Sequence, residues 1–94
     1  MIKILGRTTP YCDFCERAKM LLNQKGIAYT FEELNVDDVS MLLQKFPNLK
    51  RTVPMIFEVT ELGEQYIGGY TELQQKLQLQ EQASMLTEVT NFEL

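Results

Sequence analysis

The chain has 94 residues, 45% of them hydrophobic and 23% charged, with a net charge of −4, two cysteines and no histidine. That length holds one small domain rather than two, and the composition is that of a folded chain rather than a disordered one. An acidic balance, with no basic cluster interleaved with aromatics, excludes nucleic acid as a partner. No apolar run approaches the length of a membrane span, and Met1-Ile2-Lys3-Ile4-Leu5-Gly6 is too short an apolar start for a signal peptide. The expectation is a cytoplasmic protein with no membrane partner.

In chain order, Ile2 and Ile4 alternate against Lys3, and Gly6 closes a short strand over residues 2–6. The chain then reaches Cys12-Asp13-Phe14-Cys15, which holds both cysteines. Phe14, Ala18, Leu21 and Leu22 follow the i, i+4, i+7, i+8 spacing of one helical face, and Gly26 suits a left-handed stop. This spacing predicts a helix from about Asp13 to Lys25. Cys12 then stands at a helix N-terminus, where free N–H groups and the helix dipole favour a reactive thiolate. Cys15, one turn on, is placed to attack a mixed disulfide formed by the first thiol, and is expected to be the more buried. Asp13 and Glu16 suit the dipole but put negative charge beside Cys12, so their effects on its ionisation oppose each other.

A C-x-x-C pair has other uses. It can be half of a zinc site, but structural zinc takes four Cys or His ligands and this chain has only two. It can be a structural disulfide, but closing so short a loop constrains the unfolded chain little. In a reducing compartment a catalytic pair is the commoner case, so a redox dithiol leads and no metal ligands are assigned. Residues 1–57 carry eight Lys/Arg against six Asp/Glu, whereas residues 58–94 carry one against seven. Arg7, Arg17, Lys19, Lys50 and Arg51 are thus candidates to favour a thiolate and a small anionic substrate. For each of them, solvated surface charge is the alternative.

Ile27 to Leu34 reads as a second strand, completing a βαβ unit with parallel strands and a right-handed crossover. Asn35 or Asp37 caps a second helix from about Asp38 to Phe46, packed through Val39, Leu42, Leu43 and Phe46. Pro54 opens a third strand. Val53, extended before proline, presents its backbone N–H and C=O sideways to a neighbour. Taken alone the Val53–Pro54 bond is trans, since only about 5–6% of such bonds are cis. Thr60 to Glu64 forms a hairpin turn with Gly63 at positive φ, and Gln65-Tyr66-Ile67 returns antiparallel. Gly68-Gly69 either let a backbone or carboxylate approach the N-terminus of a following helix or serve only a tight turn. Thr71 and Gln74 fit a capping box, with a third helix from near Glu72 through at least Leu79. Residues 83–94 carry no assignment.

Three separated segments resemble the glutaredoxins. They are Thr9-Pro10-Tyr11-Cys12-Asp13-Phe14-Cys15-Glu16-Arg17-Ala18-Lys19 with Leu21-Leu22, then Arg51-Thr52-Val53-Pro54-Met55-Ile56-Phe57, then Ile67-Gly68-Gly69-Tyr70-Thr71-Glu72-Leu73. The resemblance implies an α/β thioredoxin/glutaredoxin fold: a four-stranded mixed sheet in the order strand, helix, strand, helix, strand, strand, helix, with helices on both faces. Residues 1–82 would form the domain and 83–94 a C-terminal extension of it. It further implies a glutathione-dependent thiol–disulfide oxidoreductase, with Cys12 as nucleophile and Cys15 as resolving thiol. Pro54 would be cis, and Val53 would pair with the cysteinyl part of glutathione. Arg51, beside Thr52, would lie near the glycine carboxylate. Gly69, Tyr70 and Thr71 would line the γ-glutamyl end, with Tyr11 also at the site. Glutathione would be a co-substrate, with no tightly bound cofactor. Partners would be disulfide-containing proteins, ribonucleotide reductase among them, and the chain would be a monomer.

The pattern is not complete. Asp13 stands where the family usually has proline, Phe14 lacks a tyrosine hydroxyl, and Thr9 stands where many members carry lysine, with Arg7 the nearest cation. Two rivals follow: a reductase of the same shape served by thioredoxin reductase, and a carrier in which Cys12 and glutathione from two chains hold a [2Fe–2S] cluster.

Overall fold

The computed structural model describes residues 1–80, so the expected boundary at 82 and the extension 83–94 lie outside the described residues. Strand β1 (Ile2–Gly6) leads to helix α1 (Asp13–Gln24) and strand β2 (Tyr29–Glu33). A 3-10 turn (Val36–Asp38) runs into helix α2 (Val39–Lys45), followed by strands β3 (Met55–Thr60) and β4 (Gly63–Gly68). Residues 70–80 are helical and are called α3. The sheet order is β2-β1-β3-β4, with β1 parallel to β2 and β3 antiparallel to both β1 and β4. This is the mixed four-stranded arrangement that the resemblance implies.

Side-chain alternation explains why helices cover both faces. Ile2, Ile4 and Ile56 point to one side and pack with Ala18 and Leu22 of α1 and Leu73 and Leu77 of α3. Leu5, Met55 and Phe57 point to the other and pack with Leu49 and with Leu42, Leu43 and Phe46. The two central strands, covered on both faces, are correspondingly apolar, whereas the edge strands Tyr29–Glu33 and Gly63–Gly68 mix charged and aromatic residues.

Local stops follow from chemistry. Gly26 takes φ +68°, and the Ile27 N–H donates to the Leu22 carbonyl (2.9 Å). Residues 27 and 28 therefore belong to the helix stop, and β2 begins at Tyr29, two residues later than the apolar run predicts. The Asn35 side chain accepts the Asp37 N–H (3.0 Å). That bond winds the first turn as 3-10, so α2 proper starts at Val39. In the hairpin, Gly63 takes φ +124°, and the Thr60 hydroxyl accepts the Leu62 N–H (3.2 Å). Among the described residues no helix is long and apolar enough to cross a membrane.

Candidate functional site

Cys12 is the N-cap of α1, with extended backbone (φ −118°, ψ 104°). Its carbonyl accepts the Glu16 N–H (3.2 Å), and its Sγ accepts the Cys15 N–H (3.2 Å). The sulfur thus sits where a helix N-terminus offers N–H groups to an anion. Cys12 and Cys15 are joined as a disulfide with Cα atoms 5.3 Å apart. Cys12 keeps 6% of its surface exposed and Cys15 none, which is the order expected of nucleophile and resolving thiol, although Cys12 is more covered than an open nucleophile requires. On either side of Cys12, Tyr11 and Phe14 are 69% and 52% exposed.

Cys15 owes its burial to a residue nine positions earlier. A Cβ on Gly6 would lie 2.8 Å from the Cys15 Sγ and 2.9 Å from Phe31 Cε2. Gly6 therefore does more than end β1: its missing side chain is the space in which the second sulfur packs. Neither neighbour is the tip of a flexible chain, so Gly6→Ala is expected to destabilise the oxidised protein by about 1–3 kcal/mol through overpacking. Urea denaturation of the oxidised form measures this, and an unchanged midpoint would show that the sulfur has room to yield.

The charges near the pair are mostly spoken for. Asp13 Oδ2 lies 2.8 Å from Arg17 Nε, and the same guanidinium stands 5.5 Å over the Phe14 ring. Lys19 pairs with Glu16 (3.1 Å) and lies 3.9 Å over Phe31. Lys50 pairs with Glu72 (3.1 Å). Of the five candidate cations, only Arg7 and Arg51 lack an ion-pair partner among the described residues. The Arg17 partner offsets the negative charge that Asp13 places next to Cys12. The loop before the pair is fastened by Thr8, whose hydroxyl donates to the Glu33 carboxylate, and it contains a cis Thr9–Pro10 bond.

Beside the pair runs a groove of about 310 Å³, reached from Phe14, whose ring centroid is 6.2 Å from that of Tyr70. Thr52, Val53 and Pro54 form one wall, and Gly69, Tyr70 and Thr71 the other. The Val53–Pro54 bond is cis, as the resemblance implies, rather than trans as the dipeptide alone favours. Six of the eight expected glutathione residues therefore meet in one groove. Tyr11 and Arg51 do not line it; both are exposed, and Lys50 lines it where Arg51 was expected.

The start of α3 also differs from expectation. The Leu73 N–H donates to the Gly69 carbonyl (3.0 Å), which makes Gly69 the N-cap and places Thr71 inside the first turn. The capping carboxylate is Glu72, three residues after Gly69, and not the Thr71–Gln74 pair. A hydrogen bond from Lys50 holds the Glu72 carboxyl below its ordinary range; partial burial opposes this, while backbone bonds at Gly69 and at Glu72 itself add to it. Gly68 makes the fold-back feasible: it takes φ +135°, and a Cβ there would stand 2.7 Å from Glu72 Cγ. The spacing Gly-x-x-Glu ahead of an apolar helix was the available signal for this cap.

Comparison with known proteins agrees with the site. The glutaredoxin family model matches residues 3–62. Glutaredoxins of Neisseria meningitidis serogroups A and B are each 35% identical over 68 residues, covering 70% of this chain and 74% of theirs. The hybrid peroxiredoxin hyPrx5 of Haemophilus influenzae is 35% identical over 68 residues, 71% of this chain and 26% of its own length. With a C-x-x-C pair capping α1 and a sheet of the expected topology, the chain belongs to the glutaredoxin family and is a thiol–disulfide oxidoreductase.

Proposed function

We propose that the chain uses glutathione as its electron donor and reduces protein disulfides and glutathione mixed disulfides through Cys12 and Cys15. The supporting observation is the groove beside the pair, in which the Thr52–Pro54 and Gly69–Thr71 segments face each other across a space of tripeptide scale. Within the first turn of α3, the Tyr70 and Thr71 N–H groups have no acceptor among the described residues, so they suit a carboxylate.

The chemistry is two exchanges. The Cys12 thiolate attacks one sulfur of the substrate disulfide, forming a mixed disulfide and expelling the other sulfur as a thiolate. Cys15, one turn away, then loses its proton and attacks the Cys12 Sγ, releasing the second substrate thiol and leaving the Cys12–Cys15 disulfide. Two glutathione molecules return the two electrons, the first forming a mixed disulfide on Cys12 and the second displacing it as oxidised glutathione. For a glutathione mixed disulfide, Cys12 alone carries the cycle. On this reading the protein works as a monomer in the cytoplasm with no tightly bound cofactor, and its partners are disulfide-containing proteins, ribonucleotide reductase among them.

NADPH consumption with a glutathione mixed disulfide tests the donor, run in parallel with glutathione plus glutathione reductase and with thioredoxin reductase. Turnover with glutathione is expected. Turnover with thioredoxin reductase alone would keep the oxidoreductase and withdraw the glutathione groove.

A further inference from the structure

Strand β4 is an outer strand of the sheet, and among the described residues no strand lies beside its free edge. Along such an edge every second residue turns its backbone N–H and C=O outward. Proteins blunt free edges with charge, and β2, at the opposite side, carries Glu32 and Glu33. By contrast β4, Gly63-Glu64-Gln65-Tyr66-Ile67-Gly68, has one charged residue, and that one is tied to Lys3 (3.3 Å).

The edge stands between two hollows, one on each face of the sheet. On the α3 side a hollow of about 560 Å³ is lined by Glu58, Gln75, Lys76 and Leu79. On the α2 side a hollow of about 600 Å³ is lined by Phe46, Pro47, Asn48 and Glu64. Gln65, Tyr66 and Ile67 line both, so β4 is the ridge between them. Glu58 is paired with Lys76 (3.7 Å), and Leu79, 66% exposed, offers that hollow an apolar wall. A strand laid along β4 sends alternate side chains to opposite faces, one set into each hollow, while its backbone pairs with the edge. A helix laid there has no free backbone groups to pair and fills one side only.

The edge is also continuous with the redox site. β4 ends at Gly68, which lines the α2-side hollow, and the next residue, Gly69, belongs to a wall of the groove beside Cys12. A chain that leaves the groove past Gly69 arrives at the end of β4.

Resting on the reading that protein disulfides are substrates, we propose that the free edge of β4 is a docking surface for the substrate protein: it takes, as an added strand, the extended segment that flanks the reactive cysteine. Main-chain pairing supplies affinity, and the two hollows select the alternating side chains. Glutathione, a tripeptide held in the groove, does not extend to this edge. The surface therefore separates protein substrates from small ones.

The test uses two peptide disulfides of equal length, each the oxidised dimer of a peptide with one central cysteine. In one the cysteine is flanked on both sides by alternating threonine and valine, in the other by glycine and serine. Pre-reduced full-length protein is mixed with each in a single turnover, and release of the peptide thiol is followed by chromatography. No glutathione is present, so the donor assignment does not enter. The threonine–valine dimer is expected to react roughly 5- to 20-fold faster. Leu79→Lys/Asn48→Lys, one substitution in each hollow, should cut that advantage below about 2-fold and leave the rate with the glycine–serine dimer unchanged. Place is read in Cys15→Ser, where Cys12 attacks the threonine–valine dimer, keeps one peptide as a mixed disulfide and expels the other as its thiolate. Amide hydrogen exchange in β4 should then slow at least about 10-fold, with β2 unchanged.

Equal rates for the two dimers, an advantage that survives in the double variant, or an unprotected β4 in the trapped complex would each overturn the docking surface. Protection of β2 instead would move the added strand to the other edge and overturn it too. So would a β4 already protected in the free protein: dependence on protein concentration would make the occupant a second copy of this chain, and independence would make it residues 81–94. Failure of Cys15→Ser to trap either peptide would defeat the protein-disulfide reading itself, whereas the other outcomes leave that reading standing.

Discussion

Cys12→Ser is expected to abolish exchange with every disulfide, whereas Cys15→Ser should still reduce a glutathione mixed disulfide and fail with a protein disulfide that needs both thiols. The asymmetry comes from position on α1. Cys12 is the N-cap, its sulfur accepts an N–H of the first turn, and it alone keeps exposed surface. Serine at that position retains the hydrogen bond but offers a hydroxyl, which does not attack sulfur at neutral pH, so activity falls to background. Cys15 is sealed between the first turn of α1 and Gly6, and no external disulfide reaches it. Its task is to attack the Cys12 mixed disulfide from within. With a small mixed disulfide, a second glutathione does the same from outside, and Cys15 is dispensable. Parallel assays on the two substrates measure the split. Equal loss in both variants on the small substrate would contradict the division of labour.

Phe57→Ala should have the largest effect on stability. Phe57 is fully buried on the α2 side of the sheet, 5.1 Å from the Phe46 ring and 5.5 Å from the Tyr66 ring. Truncating it opens a cavity between β3 and α2 that short elements cannot collapse to fill, at a cost of about 3–5 kcal/mol. Domains of this size have roughly 5–15 kcal/mol in total, so the variant should be marginal, melting roughly 15 °C or more below wild type. Thermal melting followed by circular dichroism tests this. A loss below about 1 kcal/mol would mean that the aromatic cluster repacks. Protein that remains folded at low temperature should still exchange thiols, because Phe57 lies across the sheet from α1.

What could be read from the sequence was whatever had a local period or a local motif. Ile2, Ile4 and Lys3 mark β1, the 14-18-21-22 spacing marks α1, and Gly63 marks the hairpin; each is settled within a few residues by side-chain direction or backbone freedom. The two walls of the groove were legible through the resemblance, since Thr52-Val53-Pro54 and Gly69-Tyr70-Thr71 are contiguous motifs. What escaped were relations between distant positions. In the sequence Lys50 is one of five candidate cations and Glu72 has no assigned partner, and only the turn of β4 into α3 brings them together. The ending of β1 at Gly6 was plain, but its steric purpose depends on Cys15. At α3 two caps competed, and the charged Glu72 with a cation behind it prevailed over the Thr71–Gln74 pattern.

The sheet is also a partition. Among the described residues, the apolar layer beneath α2 and the layer beneath α1 and α3 share no buried residue, and no side chain of the first comes from α1, which carries the redox thiols. A lineage carrying this fold can therefore exchange aromatics for aliphatics around Phe46 and Phe57, altering heat tolerance, without disturbing what surrounds the sulfurs. Within residues 1–80, thermal adaptation and chemical adaptation have separate substrates.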